Sequence, residues 1–198
     1  MSFFALAKAP GLRPARREFL TQSKLVLSGA AVALMAGRDA LAKTGGKATE
    51  DDVKILNTAL GSELEAIAAY QVGAESGLLQ KPVLEVAVLF QTHHKEHRDA
   101  LIATIRKLGG TPVAAKSDAE VAQALNASAL KTQTDVLRLA QRLEKGAANA
   151  YIGVIPSFSD KALAQVSARL ATDEAMHWIV LSQALKDPLP ASALSFGA

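Results

Sequence analysis

With 198 residues, 49% of them apolar, the chain is long enough for one domain with a substantial core and short for two. It has no cysteine, which excludes disulfides, thiolate metal sites and a nucleophilic thiol and leaves oxygen and imidazole as the metal donors. A formal charge of +3 invites a nucleic-acid partner, but residues 1–42 hold six Lys/Arg against two acids. The rest, with 16 basic and 17 acidic residues, is nearly neutral and lacks the basic, aromatic-rich surface such binding requires, so nucleic acid is not an expected partner.

In chain order, residues 1–42 have the three parts of a bacterial secretory signal. These are a basic start with Arg13, Arg16 and Arg17, an apolar run from Leu25 to Ala36, and Ala40-Leu41-Ala42 as a small-x-small cleavage site. Arg16-Arg17-Glu18-Phe19-Leu20 resembles the twin-arginine signature, which implies recognition by the machinery that exports folded proteins and a periplasmic location. The apolar run is shorter than the roughly 20 residues of a spanning helix, so cleavage before Lys43 is expected, with no stable membrane association afterwards. A retained anchor is the competing reading.

Residues 43–48 read as a flexible linker, 49–186 as the folded domain and 187–198 as a tail. Thr49 is placed to cap a first helix with Glu50, Asp51 and Asp52 in its first turn, and Val53, Leu56, Leu60, Leu64 and Ile67 follow at helical spacing. Gly73 and Gly77 are expected to close it. Pro82 suits the first turn of a second helix, from about Lys81 to Leu108, which Gly109-Gly110-Thr111-Pro112 ends. Ser117-Asp118-Ala119-Glu120 has the form of a capping box and opens a short helix in a long connection. A third long helix is expected from about Thr134 to Ile155, stopped by Pro156, and a fourth from a cap at Asp160 to about Leu185. No β-alternation appears. Short loops within each pair of helices and a long connection between the pairs predict an all-α bundle of two antiparallel hairpins joined by one crossover.

The hairpins repeat one another in polar residues. Glu63 precedes Tyr70 by seven, and Glu144 precedes Tyr151 by seven; seven residues are two helical turns, so each carboxylate shares a face with its phenol. His97 lies 34 residues after Glu63 and His177 lies 33 after Glu144, with His94 and Glu174 three residues before them. A Glu-x-x-His pair stands one turn apart on one face, so a single helix can give a carboxylate and an imidazole to the same metal.

Glu63, His94, His97, Glu144, Glu174 and His177 resemble the ligand set of the ferritin-like di-metal carboxylate proteins, such as rubrerythrin and bacterioferritin, over about Thr49 to Leu185. Tyr70 matches a tyrosine usual in that family two turns after the first glutamate, and Leu108-Gly109-Gly110-Thr111-Pro112-Val113 resembles exported bacterial members. The resemblance implies a ferritin-like four-helix bundle and oxygen or peroxide chemistry at iron or manganese, with zinc accepted by the same donors. Tyr70 and Tyr151 are read as supports that orient the glutamates, and Trp178 as core packing.

Position 94 departs from the pattern, because His stands where the family has a bridging glutamate. Three carboxylates leave two divalent cations with roughly one positive charge over, so a single-metal site or an asymmetric pair is expected. His93 and Glu96, turned about 100° around the helix, would break the repeat; His93 reads as structural or exposed, and Glu96 as facing solvent or supporting a ligand. The functional expectation is an exported metal-binding protein, with a non-haem iron or manganese oxidoreductase acting on oxygen, peroxide or ferrous iron as its sharper form. A non-enzymatic periplasmic bundle with a degenerate site is the alternative, and iron storage in a cage is not favoured because no cage interface is identifiable. Metal ions, the export machinery and a second copy in a homodimer are the expected partners.

Overall fold

The computed structural model describes residues 47–197; the export signal, its cleavage site and the start of the linker lie outside the described residues. Five α-helices and no strand occur among them: α1 (Lys47–Glu75), α2 (Lys81–Lys107), α3 (Asp118–Ala124), α4 (Gln133–Val154) and α5 (Lys161–Ala184). The first helix begins at Lys47, three residues before the expected first helical residue Glu50, so Thr49 lies inside its first turn rather than at its cap position. Gly73 also lies within α1 instead of closing it. A Cβ there would stand 3.3 Å from Val136 Cγ1, so the glycine serves a close approach to α4, while Gly77 at φ +69° makes the turn.

The other boundaries follow local chemistry. Pro82 lies in the first turn of α2, and Gly109 at φ +81° leaves it. Ser117 with Glu120, and Thr132 with Asp135, form reciprocal capping boxes on α3 and α4. The Asp160 side chain accepts from Ala162 N at 2.7 Å to start α5.

The closest-packed pairs are α1 with α2 and α4 with α5, which are the two hairpins. Residues 108–132 climb from the end of α2 back to the level at which α4 begins, packing α3 along α1. Asn57 fastens the foot of this crossover by donating to Thr111 O at 3.1 Å and accepting from Val113 N at 2.8 Å. Leu56, Leu60, Leu101, Ile105 and Leu163 form an apolar layer at one end of the bundle, and Phe90, Leu137 and Leu181 form another at the far end. Each such leucine or isoleucine contributes roughly 1.5–3 kcal/mol by burial. The tail folds back: Phe196 meets Trp178 edge-on at 5.2 Å, and Gly197 N donates to Asn149 at 2.8 Å. No helix among the described residues is long and apolar enough to cross a membrane.

Candidate metal centre

Between the two apolar layers lies a polar one. Helical periodicity delivers one acid from α1 (Glu63), two imidazoles from α2 (His94, His97), one acid from α4 (Glu144) and an acid with an imidazole from α5 (Glu174, His177). All six are buried, Glu174 completely. Their donor atoms form two groups, Glu63, His94, His97 and Glu174 on one side and His94, Glu144, Glu174 and His177 on the other, each with its ligand atoms within 4.8 Å of one another. Glu174 and His94 belong to both. The structure thus brings together every predicted ligand position.

His94 sits at the middle, its Nδ1 2.8 Å from Glu63 Oε2 and its Nε2 3.3 Å from Glu144 Oε1. Glu174 presents Oε1 to His97 Nδ1 and Oε2 to His177 Nδ1, each at 3.3 Å, and His177 Nδ1 is also 3.3 Å from Glu144 Oε2. The tyrosines act crosswise. Tyr70 of the first hairpin donates to Glu144 of the second, and Tyr151 of the second donates to Glu63 of the first. Each phenol therefore holds the carboxylate of the opposite hairpin, not the one on its own helix.

The charges support one another against burial. Burial pushes the Glu63 carboxyl up, but His94 and His97 outweigh it and bring the group down to about 2. Glu144 is lowered in the same way, against burial, chiefly by His177 and His94. Burial disfavours the imidazolium of His94, yet Glu144 and Glu63 raise it to about 10, and Asp173, Glu174 and Glu63 likewise lift His97 to about 12. His177 is raised against burial by Glu144 and Glu174. Among the six, burial prevails only at Glu174, whose carboxyl is raised despite His177 and His97. Burial and the charges of Glu144 and Glu63 push Tyr70 and Tyr151 well above the usual phenol range, so both stay donors.

Of two further neighbours, Asp173 escaped the sequence reading and His93 reads there as structural or exposed. Asp173 Oδ2 lies 3.3 Å from His97 Nε2, and the half-buried His93 places Nδ1 3.0 Å from His177 Nε2. They occupy equivalent positions, each immediately before the Glu/His-x-x-His of its hairpin and each touching the outer nitrogen of the other hairpin's histidine. Extending the internal repeat one residue back from positions 94 and 174 would have found both. His93 is thus tied to the site rather than merely structural or exposed, whereas Glu96 faces solvent as expected.

The donor set fits a metal. Both oxygens of Glu174 and the Nδ1 of His97 are buried without a well-formed hydrogen bond, the carboxylate meeting only imidazole nitrogens at 3.3 Å, an arrangement that suits atoms able to coordinate a cation. Asp173 adds a fourth carboxylate just behind His97, which offsets part of the negative charge lost at position 94.

The ferritin-like domain matches residues 51–187, which is most of the described chain. No curated protein matches. Among solved structures, a conserved hypothetical protein of Mycobacterium tuberculosis is similar in fold, with a TM-score of 0.56 and 22% identity over 74% of this chain and 99% of that one. Four long helices in two hairpins, a buried His/Glu layer at mid-bundle and the extent of that match agree: the chain belongs to the ferritin-like domain family.

Proposed function

We propose that the protein is exported to the periplasm by the twin-arginine route and holds iron or manganese in this layer, as a non-haem oxidoreductase acting on oxygen, peroxide or ferrous iron. The observation that carries the reading is Glu174, fully buried, with neither oxygen in a well-formed hydrogen bond and each oxygen facing a different ligand group. Glu63, His97 and Glu174 would hold one metal, and Glu144, His177 and Glu174 the other, with His94 serving either. Oxygen donors with imidazoles suit iron and manganese and also accept zinc. A bound redox metal would supply the electrons for the oxidant, which no side chain of this layer can do.

The chain's own residues do the rest. Tyr70 and Tyr151 keep Glu144 and Glu63 oriented by hydrogen bonds from the opposite hairpin. Phe90 stacks on the His177 ring at a centroid distance of 4.1 Å and shields that side from water. His94 must give up a proton to coordinate; Glu63 and Glu144, in contact with it and both held below the usual carboxylate range, are too weak as bases to keep that proton, so it leaves to solvent.

Anaerobic loading with ferrous iron followed by peroxide or oxygen tests the activity. The protein should oxidise its iron faster than the same iron free in buffer, and Glu144→Ala should remove the difference. Equal rates with and without protein would refute the oxidoreductase reading. A second reading has its own observation: both His94 nitrogens engage carboxylates, so a protonated His94 can balance Glu63 and Glu144 without any metal. In that case the domain is a non-enzymatic bundle with a degenerate site, and no metal is retained.

A further inference from the structure

An apolar cavity of about 450 Å³ lies between α1 and α4 on the side covered by the crossover. It exists because the facing helices present small residues, Ala66, Ala69 and Gly73 on α1 with Ala140 and Ala147 on α4, while Val121 of α3 closes the outside. Its inner wall reaches Tyr70, His94 and Glu144, so it ends against the polar layer. At the rim stand Lys116, which pairs with Glu65, and the exposed Arg142, which has no ion-pair partner among the described residues.

The chemistry of this wall selects its ligand. Apolar cavities of roughly 150 Å³ already stay dry and take apolar guests, and about 300–1,000 Å³ is the range of small-molecule sites. Polar side chains are few in a lining that is otherwise apolar, so the complement is a molecule that is apolar along its length. Arg142, without an ion-pair partner among the described residues, favours an anionic head outside, with the chain running inward. A methylene occupies about the volume of a water, roughly 30 Å³, so the cavity holds a chain of about ten to fifteen carbons.

We propose that this cavity binds a single-chain aliphatic carboxylate, its head at Arg142 and its chain end beside His94 and Glu144. The site is built almost wholly from residues outside the metal layer, so it goes beyond the proposed oxidoreductase and is tested without activity. Calorimetric titration of the full mature protein, metal-free and metal-loaded, with hexanoate, dodecanoate and dodecan-1-ol reads it directly. Dodecanoate should bind at least tenfold more tightly than hexanoate in both forms and more tightly than the alcohol, and Arg142→Gln should remove the preference for the acid. Ala147→Phe fills the cavity and should weaken dodecanoate at least tenfold with helix content and melting temperature kept. Ala69→Leu, from the opposite wall, gives the same reading if that variant does not fold.

Absence of saturable binding at every chain length would overturn the proposal, as would unchanged affinity in a folded, filled variant. Equal binding of acid and alcohol would overturn the carboxylate head. A dimer in sedimentation that Ala147→Phe dissociates, with no dodecanoate bound, would assign the cavity to a second copy of the chain instead.

Discussion

At the scale of residues, His94 decides the character of the site. Its two nitrogens hold Glu63 and Glu144 together across the hairpins when protonated, yet it also belongs to both candidate ligand groups. The consequences of these charges differ in sign. Glu63, lowered from 4.5 to about 2, contributes stability that is present above its ordinary value and lost as pH falls toward 2. His94 and His97, raised from 6.5 to about 10 and about 12, contribute stability that is complete below 6.5 and lost as pH rises toward those values. The melting temperature of the metal-free protein should therefore be highest between pH 4.5 and 6.5 and fall on either side. A melting temperature that climbs steadily from pH 6.5 to about 9 would contradict these assignments. Asp173 supplies a sharper test, because its carboxylate backs His97 only. Asp173→Asn should weaken a metal held by Glu63, His97 and Glu174 by about 10–100-fold while helix content is unchanged, and unaltered affinity would show that the contact is incidental. The six inward residues were legible because each recurs at the same spacing in both hairpins. Asp173 and His93 were not, since they differ in chemical type although they hold equivalent positions.

At the scale of elements, the two hairpins and the crossover were readable from loop lengths, and α3 from the Ser117–Glu120 box. What the sequence could not give was the crosswise pairing. Tyr70 and Tyr151 share faces with their own glutamates by periodicity, but the bundle brings each phenol to the other hairpin's carboxylate, a relation fixed by packing rather than spacing. Gly73 lies inside α1 for a related reason: helix propensity treats a glycine as an end, whereas here it admits α4. The crossover depends on one further close approach. A Cβ at Gly110 would stand 2.6 Å from Val53 Cγ1, 3.0 Å from Ile105 Cγ2 and 3.3 Å from the Ile105 carbonyl oxygen, and the backbone atom cannot swing aside. Gly110→Ala should therefore cost about 1–3 kcal/mol in chemical denaturation. Gly146→Ala, where an added Cβ meets nothing within 4 Å, should be neutral or mildly stabilising. Equal effects at the two positions would mean that the foot of the crossover is not packed as described.

At the scale of the molecule, a buried layer of three acids and three imidazoles stands between two apolar layers where leucine or isoleucine would serve stability better. Retaining such a layer calls for a role, and the oxygens of Glu174, without a well-formed hydrogen bond, indicate a cation. The proposed twin-arginine export would suit such a layer, since a protein that folds before crossing the membrane can take up its metal first. Sequencing the N-terminus of the protein recovered after expression in a bacterium tests the proposed cleavage: Lys43 as the first residue is expected, and an uncleaved Met1 start would contradict it. The central claim is that the layer binds metal, and metal analysis after loading with ferrous iron, manganese or zinc tests it most directly. About one to two metals per chain are expected for the native sequence in at least one case, and almost none for Glu174→Ala. Less than about 0.2 metal per chain in every case, or undiminished metal in the folded Glu174→Ala variant, would contradict it.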